Sequence, residues 1–324
     1  MNPFTYQRAT DPDTAITAGS APKAVFLAGG TTLVDLMRLH VMLPEAVVDL
    51  GALTHKQIEV TADGGLRIGA LVTNTALADH GTVAKSYAVI SEAIHAGASA
   101  QIRNVATTAG NILQRTRCPY FRDVGISACN KRSPGSGCAA IGGVTRSHAI
   151  LGVSDKCIAT HPSDFAVALA ALDAVVIVKG AGGERRIPFE ELHTKPGDHP
   201  EIEHTLKPGE LITYVELPGG SIGKSHYLKT RDRASYAFAL ASAAVALDVQ
   251  GGSIRSARVA LGGVGTVPWR AREAEKVLVG KPATRATFDE AATAALVSAQ
   301  TQPGNKFKVE LAHRTIVRAL EEIA

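Results

Sequence analysis

AVFLAGGTTLVDLMRLHVMLPEAVVDL, residues 24–50, decides how the chain is read. AVFLAGG (24–30) is an apolar run of strand length that ends in two glycines. TTLVDLMRLH (31–40) follows with Leu33, Leu36, Met37 and Leu39 close to helical spacing, and Thr31 or Thr32 as a candidate N-cap. Pro44 ends the helix, and AVVDL (46–50) is the next strand. Strand, glycine turn, helix and strand make a βαβ candidate. Glycines at a strand end let a backbone approach a ligand phosphate, and helix N-terminal N–H groups favour an anion. AGGTT (28–32) therefore has two readings, a phosphate-binding turn or a plain tight turn with an N-cap.

Working outward, LRIGALVTNTALADH (66–80) gives a strand, a turn and a helix start, and SYAVISEAIHAGA (86–98) a helix. VATTAGNILQ (105–114) is a polar loop in which Thr107, Thr108, Gly110 and Asn111 offer hydroxyl, amide and backbone donors. It too is either a phosphate loop or an ordinary one, but two such loops in one domain make a dinucleotide pyrophosphate more plausible. Neither matches G-x-G-x-x-G or a P-loop, so this is not an ordinary Rossmann site. HPSDFAVALAALDAVVIVKG (161–180) is helix then strand. Residues 226–265 read as strands with a hairpin at Gly251-Gly252, and 271–324 as helix-rich. PGGSIGK (218–224) marks the domain boundary, which divides the chain into 1–220 and 224–324. No internal repeat is visible.

All four cysteines, Cys118, Cys129, Cys138 and Cys157, fall in one stretch with little hydrophobic periodicity. Clustered soft thiolates suggest one tetrathiolate site, for a zinc ion or an iron–sulfur cluster, rather than scattered disulfides. Segment 115–157 reads as an irregular insertion that a metal would order. His148 and His161 are possible ligands, but four thiolates complete a site, so both read as surface residues or as supports behind the ligands. Asp164 is placed either to hydrogen-bond a ribose or phosphate-side hydroxyl or to face a helix dipole. Lys229, Arg231, Arg233 and Tyr236 form a polar patch, either a clamp for phosphate or carboxyl groups or a solvated strand end partly balanced by Asp232.

A chain of 324 residues with 45% apolar and 5% aromatic content is long enough for two or three packed domains of helix and sheet. Net charge is +4 with the signs mixed, and no Lys/Arg block with interleaved aromatics appears, so nucleic acid is not an expected partner. MNPFTYQRATDPDT is not a signal peptide, and no run of about 18 apolar residues predicts a membrane span. A cytoplasmic protein is expected, or a periplasmic one if exported folded by a signal-bearing partner. H-E-x-x-H, G-x-S-x-G and a hydrolytic acid pair are all missing. The features are those of binding and redox chemistry.

FLAGGTTLVDLM, TTAGNILQ, HPSDFAVALAALDA and YLKTRDRASYAFAL, in this order, resemble the FAD-binding subunit of molybdenum hydroxylases, the family of xanthine dehydrogenases, aldehyde oxidoreductases, carbon monoxide dehydrogenases and 4-hydroxybenzoyl-CoA reductases. The resemblance covers essentially the whole chain. It implies an α+β fold: a two-part FAD-binding domain of the vanillyl-alcohol-oxidase type (1–220), with an iron–sulfur insertion at 115–157, then a smaller α+β C-terminal domain (224–324). The cysteine segment looks most like the periplasmic aldehyde oxidoreductase type, which turns the metal toward a [4Fe–4S] cluster on the four cysteines.

By the same resemblance Phe26, Leu27, Ala28, Gly29, Gly30, Thr31, Thr32 and Leu33 would wrap the FAD pyrophosphate, with Thr107, Thr108, Gly110 and Asn111 as its second loop. Asp164 would contact the ribityl or phosphate region, Lys229 would sit near the isoalloxazine, and Ile212 would be an adenine-side contact. The implied role is electron transfer, between a small [2Fe–2S] subunit and an external acceptor, beside a large molybdopterin subunit that oxidises an aldehyde. The alternatives are a benzoyl-CoA-type reductase running the other way and a zinc-stapled nucleotide-binding scaffold. A free-standing flavoenzyme would need its own substrate pocket and base, and neither is found.

Overall fold

The computed structural model describes residues 1–324. Three sheets organise the chain. The first is built from β1 (Thr5–Arg8), α1 (Pro12–Gly19), β2 (Ala24–Leu27), α2 (Leu33–Arg38) and β3 (Ala46–Asp49), with strand order β1-β3-β2. β2 and β3 are parallel, Ala24 opposite Ala46 through Leu27 opposite Asp49, so the expected βαβ unit is present. Helix α2 is shorter than the 31–40 stretch, and Thr32 stands at its N-cap without a side-chain bond. Gly30 makes the preceding turn at φ 71°, a conformation a side chain disfavours.

The second sheet begins with β4 (Ile58–Val60) and β5 (Leu66–Gly69). The chain then leaves it through α3 (Asn74–Ala78), α4 (Gly81–Ser86), α5 (Ala88–Ala96), α6 (Ala100–Arg103), α7 (Thr108–Ile112), α8 (Pro119–Arg122) and α9 (Asp164–Ala171). It returns with β6 (Val175–Gly180), β7 (Gly183–Pro188), α10 (Phe189–Leu192) and β8 (Leu211–Leu217). The strand order is β4-β5-β8-β6-β7, and every pair is antiparallel. TTAGN is helical rather than a loop, because the Thr107 hydroxyl caps α7 and accepts from the Gly110 N–H at 3.2 Å. All eight residues of α9 are buried, as expected of a helix that is apolar all round and enclosed between layers.

The third sheet, β9 (Lys224–Thr230), β10 (Ala241–Gln250), β11 (Ser253–Gly262) and β12 (Trp269–Arg270), is an antiparallel meander. Its β10–β11 hairpin turns at Gly251 and Gly252, both with positive φ as a two-residue type I′ turn requires. α11 (Arg272–Leu278), α12 (Arg285–Ala295) and α13 (Phe307–Glu321) complete the fold. The sheet serves two cores: Tyr227, Ala244 and Ala260 join the core of the flanking second sheet, while Val245, Val259 and Leu261 pack with Ile316 and Leu320 of α13. No helix is long and apolar enough to cross a membrane.

Candidate functional site

The turn after β2 and the segment before α7 meet backbone to backbone. A Cβ on Gly29 would lie 2.1 Å from the Val105 carbonyl oxygen, so the approach needs a glycine. Around this meeting point lie two cavities, of about 860 Å³ and about 530 Å³, with walls shared at Thr31, Thr32, Gly110 and Gln114. Phe26, Ala28, Gly29, Gly30, Leu33 and Thr107 line the larger one, and so does Ile212. Asn111, Asp164 and Lys229 line the smaller. Leu27 and Thr108 line neither: Leu27 belongs to β2, and Thr108 is fully buried with its hydroxyl donating to the Val72 carbonyl at 3.1 Å.

Asp164 opens α9 but is not its cap. Ser163 caps the helix, accepting from the Ala166 N–H at 3.0 Å. That leaves the Asp164 carboxylate free to bind across layers, where Oδ2 accepts from Lys229 Nζ at 2.7 Å and Oδ1 from the Tyr227 hydroxyl at 2.5 Å. Tyr227 and Lys229 are two apart on β9 and share a face. Burial and the Asp164 charge hold the Tyr227 phenol well above its ordinary range, so it stays a donor. The patch read as a possible solvated strand end is thus split: Lys229 is buried and paired, Arg231 donates to the Ala96 carbonyl at 3.0 Å, and Tyr236 is exposed at the cavity mouth beneath the Arg233 guanidinium. Asp232 pairs with Arg146, 2.6 Å away, rather than balancing its neighbours.

Segment 115–163 holds a single helical turn, α8. Side chains close the rest: Arg132 donates to the carbonyls of Tyr120, Phe121 and Ile126, and the Tyr120 hydroxyl accepts from the Val144 N–H. The four cysteines converge on one tight space of about 10 Å³. All four are free thiols. No group of three or more His, Cys, Asp or Glu side chains is arranged as a metal-ion site. Burial pushes Cys118 up to about 12, and Cys157 and Cys129 add to the rise. A metal reverses this, since a coordinating thiol is deprotonated. His148 is fully buried rather than a surface residue, with Nε2 3.1 Å from Cys118 Sγ. His161 is half-buried, its ring 4.6 Å from that of His193 in the wall of the larger cavity.

Residues 2–220 match the family model described as the FAD binding domain in molybdopterin dehydrogenase, and residues 226–323 match the CO dehydrogenase flavoprotein C-terminal domain. The chain is 51% identical to the aldehyde oxidoreductase FAD-binding subunit PaoB of Escherichia coli K12, over 99% of this chain and 98% of that one. The chain belongs to the FAD-binding subunits of the molybdenum hydroxylases. It is 27% identical to the carbon monoxide dehydrogenase medium chain of Afipia carboxidovorans, over 89% of this chain and 83% of that one. Its fold matches a chain of reconstituted CO dehydrogenase from Oligotropha carboxidovorans, with a TM-score of 0.78, 23% identity and coverage of 99% and 98% of the two chains.

FAD fits the residues present in this flavoprotein. The smaller cavity presents buried polar atoms that lack a protein partner, Arg117 Nη1, Arg122 Nη1 and Asn74 Oδ1. Buried polar groups without partners are costly, and a polar ligand supplies what they lack. Three of the lining residues, Arg103, Arg117 and Arg122, suit an anionic one. The sequence reading named neither the arginines nor Tyr227. Arg117 lay beside Cys118 in a segment read only for metal, whereas period-two alternation in HYLKT would have put Tyr227 on the Lys229 face.

Proposed function

We propose that the chain is the FAD- and [4Fe–4S]-carrying electron-transfer subunit of a heterotrimeric molybdenum-dependent aldehyde oxidoreductase. The carrying observation is the adjacency of Arg117 and Cys118. Arg117 lines the flavin cavity and Cys118 lines the thiol centre, so one peptide separates the two. The identity to PaoB supports the aldehyde class.

In this reading Gly29 to Leu33 and the Thr107–Asn111 turn hold the pyrophosphate, Ile212 faces the adenosine end, and Asp164 and Lys229 stand at the flavin end. Leu27 and Thr108 support those loops from inside the fold. Bound FAD exchanges electrons singly or in pairs, which suits a chain between one-electron carriers and a two-electron acceptor. The buried Lys229–Asp164 pair gives that end a fixed dipole, and Tyr227 keeps the carboxylate oriented. Cys118, Cys129, Cys138 and Cys157 would hold the cluster. Four thiolates are a donor set that an iron–sulfur cluster would use. A small [2Fe–2S] subunit would deliver the electrons, a large molybdopterin subunit would release them from the aldehyde, and an external acceptor would take them.

Anaerobic purification with metal, sulfide and flavin assays tests this. About four irons, four sulfides and one FAD per chain are expected, together with bleaching of the assembled complex by an aldehyde. One zinc and no flavin would overturn it.

A further inference from the structure

We infer that the C-terminal domain tunes the iron–sulfur centre through His148, a positioning residue whose Nε2–H donates to the Cys118 sulfur. The inference rests on the cluster assignment above and goes beyond it, because it concerns which side chain sets the cluster's potential.

Three observations carry it. First, the Cys118 sulfur and His148 Nε2 are 3.1 Å apart in a buried setting. A metal-bound sulfur has no proton to give, so the hydrogen must be on Nε2. His148 Nδ1 has no partner to compete for it. Second, His148 is held from the other domain. The Asn305 side-chain amide donates to the carbonyls of His148 at 3.4 Å and Ala149 at 3.1 Å, and Asn305 is fully buried in the turn before α13. Third, Lys308, just inside α13, is fully buried, and its ammonium makes one hydrogen bond, to the Gly263 carbonyl at 2.7 Å. No carboxylate stands within salt-bridge reach of it, and Lys308 is three residues on from Asn305, whose side chain bonds the His148 carbonyl. A buried cation without a counter-charge is costly, and a thiolate-ligated cluster, being anionic, supplies one.

Adding one electron to the cluster breaks no bond and moves no obligatory proton; it adds one negative charge, spread over the sulfurs. An N–H donor on a ligating sulfur and a nearby buried cation both favour the reduced form, so both raise the potential. The cysteines are not alike in this respect. The Cys118 sulfur has the His148 contact at 3.1 Å, whereas Cys157 takes a 3.5 Å bond from the Ala159 N–H. Cys118, the sulfur that His148 reaches, is also the one next to Arg117 and the flavin cavity.

The test is a dithionite titration of the assembled, iron-loaded complex, followed by electron paramagnetic resonance. His148→Leu should move the cluster midpoint to a more negative potential at unchanged iron content, and Lys308→Met should move it the same way by less. His148→Gln, which keeps an N–H donor, should stay nearer the parent. An unchanged midpoint in iron-replete His148→Leu overturns the inference. If that variant loses its iron, pulsed resonance on the reduced parent labelled with ¹⁵N-histidine decides: a histidine nitrogen coupled to the cluster is expected, and none detectable overturns the inference. A parent with flavin but no iron instead refutes the cluster assignment on which the inference rests.

Discussion

The loops proposed to hold the flavin and the cysteine segment are shaped by different forces. The former are the ends of regular elements. Gly29 and Gly30 end β2, Thr107 caps α7, and behind α3 to α9 lies a core of 34 buried residues, large enough to fix these loops without a ligand. The cysteine segment has a cluster of six buried residues, and three of them are Cys118, Cys129 and Cys157. Its remaining order comes from hydrogen bonds such as those of Arg132. The first region is a preformed cradle. The second takes much of its core from the side chains that would become ligands, so on the proposed reading its order and its metal would be one property.

Breaking that identity should give the largest effect. Cys157→Ser is expected to abolish iron binding and to open 115–157 to limited proteolysis while about one flavin per chain remains. Flavin lost together with iron would mean that the two regions fold as one. The reciprocal change is Gly29→Val. The smallest side chain already meets the Val105 carbonyl at 2.1 Å, and overpacking of this kind costs about 1–3 kcal/mol. Here the strain falls on the loop contact itself, so flavin occupancy should drop several-fold, read by absorbance, with iron content unchanged.

The two regions also differed in how legible they were. The βαβ unit, the Gly251-Gly252 hairpin and the irregular cysteine segment were readable because each depends on local rules of periodicity, turn chemistry and composition. The glycine turn and TTAGN are visible as small-residue loops, but the capped helix at Thr108 is not, since five helical residues are too few to show a period. The cationic lining was not legible: Arg103, Arg117 and Arg122 come from separate elements and meet only in the folded chain. Lys308 is hidden for the opposite reason, because a polar residue in an amphipathic segment is ordinarily at the surface. Its burial is a tertiary fact, whereas for His148 the reading as a support behind the cysteines is the one the structure favours.

Lys308 offers a graded way to sharpen the comparison. Burial, with Arg146 adding, lowers its pKa from 10.5 to about 7. The unfolded chain therefore binds this proton more tightly than the folded one between those values, and stability rises with pH across that window. Below about 7 the folded state carries the full penalty, on the order of 5 kcal/mol for the cluster-free chain. Lys308→Met should remove this slope and stabilise the cluster-free protein at pH 6 more than at pH 10, as measured by chemical denaturation. The cluster should diminish the difference by supplying negative charge. An identical slope in parent and variant would show that Lys308 is balanced by something else.

Tyr227→Phe is the mildest probe, and it falls on the preformed side. The ring stays packed in the second-sheet core, and only the hydroxyl that donates to Asp164 Oδ1 is lost. Asp164 keeps Lys229 at 2.7 Å, so its charge remains paired. The expected cost is about 1.5–3 kcal/mol, that of one buried hydrogen bond to a charged acceptor. If the cradle is held by its core, the variant should retain its flavin and show only a small shift in flavin midpoint, because the carboxylate has lost one of two restraints. A large loss of flavin would mean instead that the Asp164–Tyr227–Lys229 network, and not the apolar core behind it, sets the shape of that end of the cavity. The flavin region would then resemble the cysteine segment in depending on its polar contacts for its form.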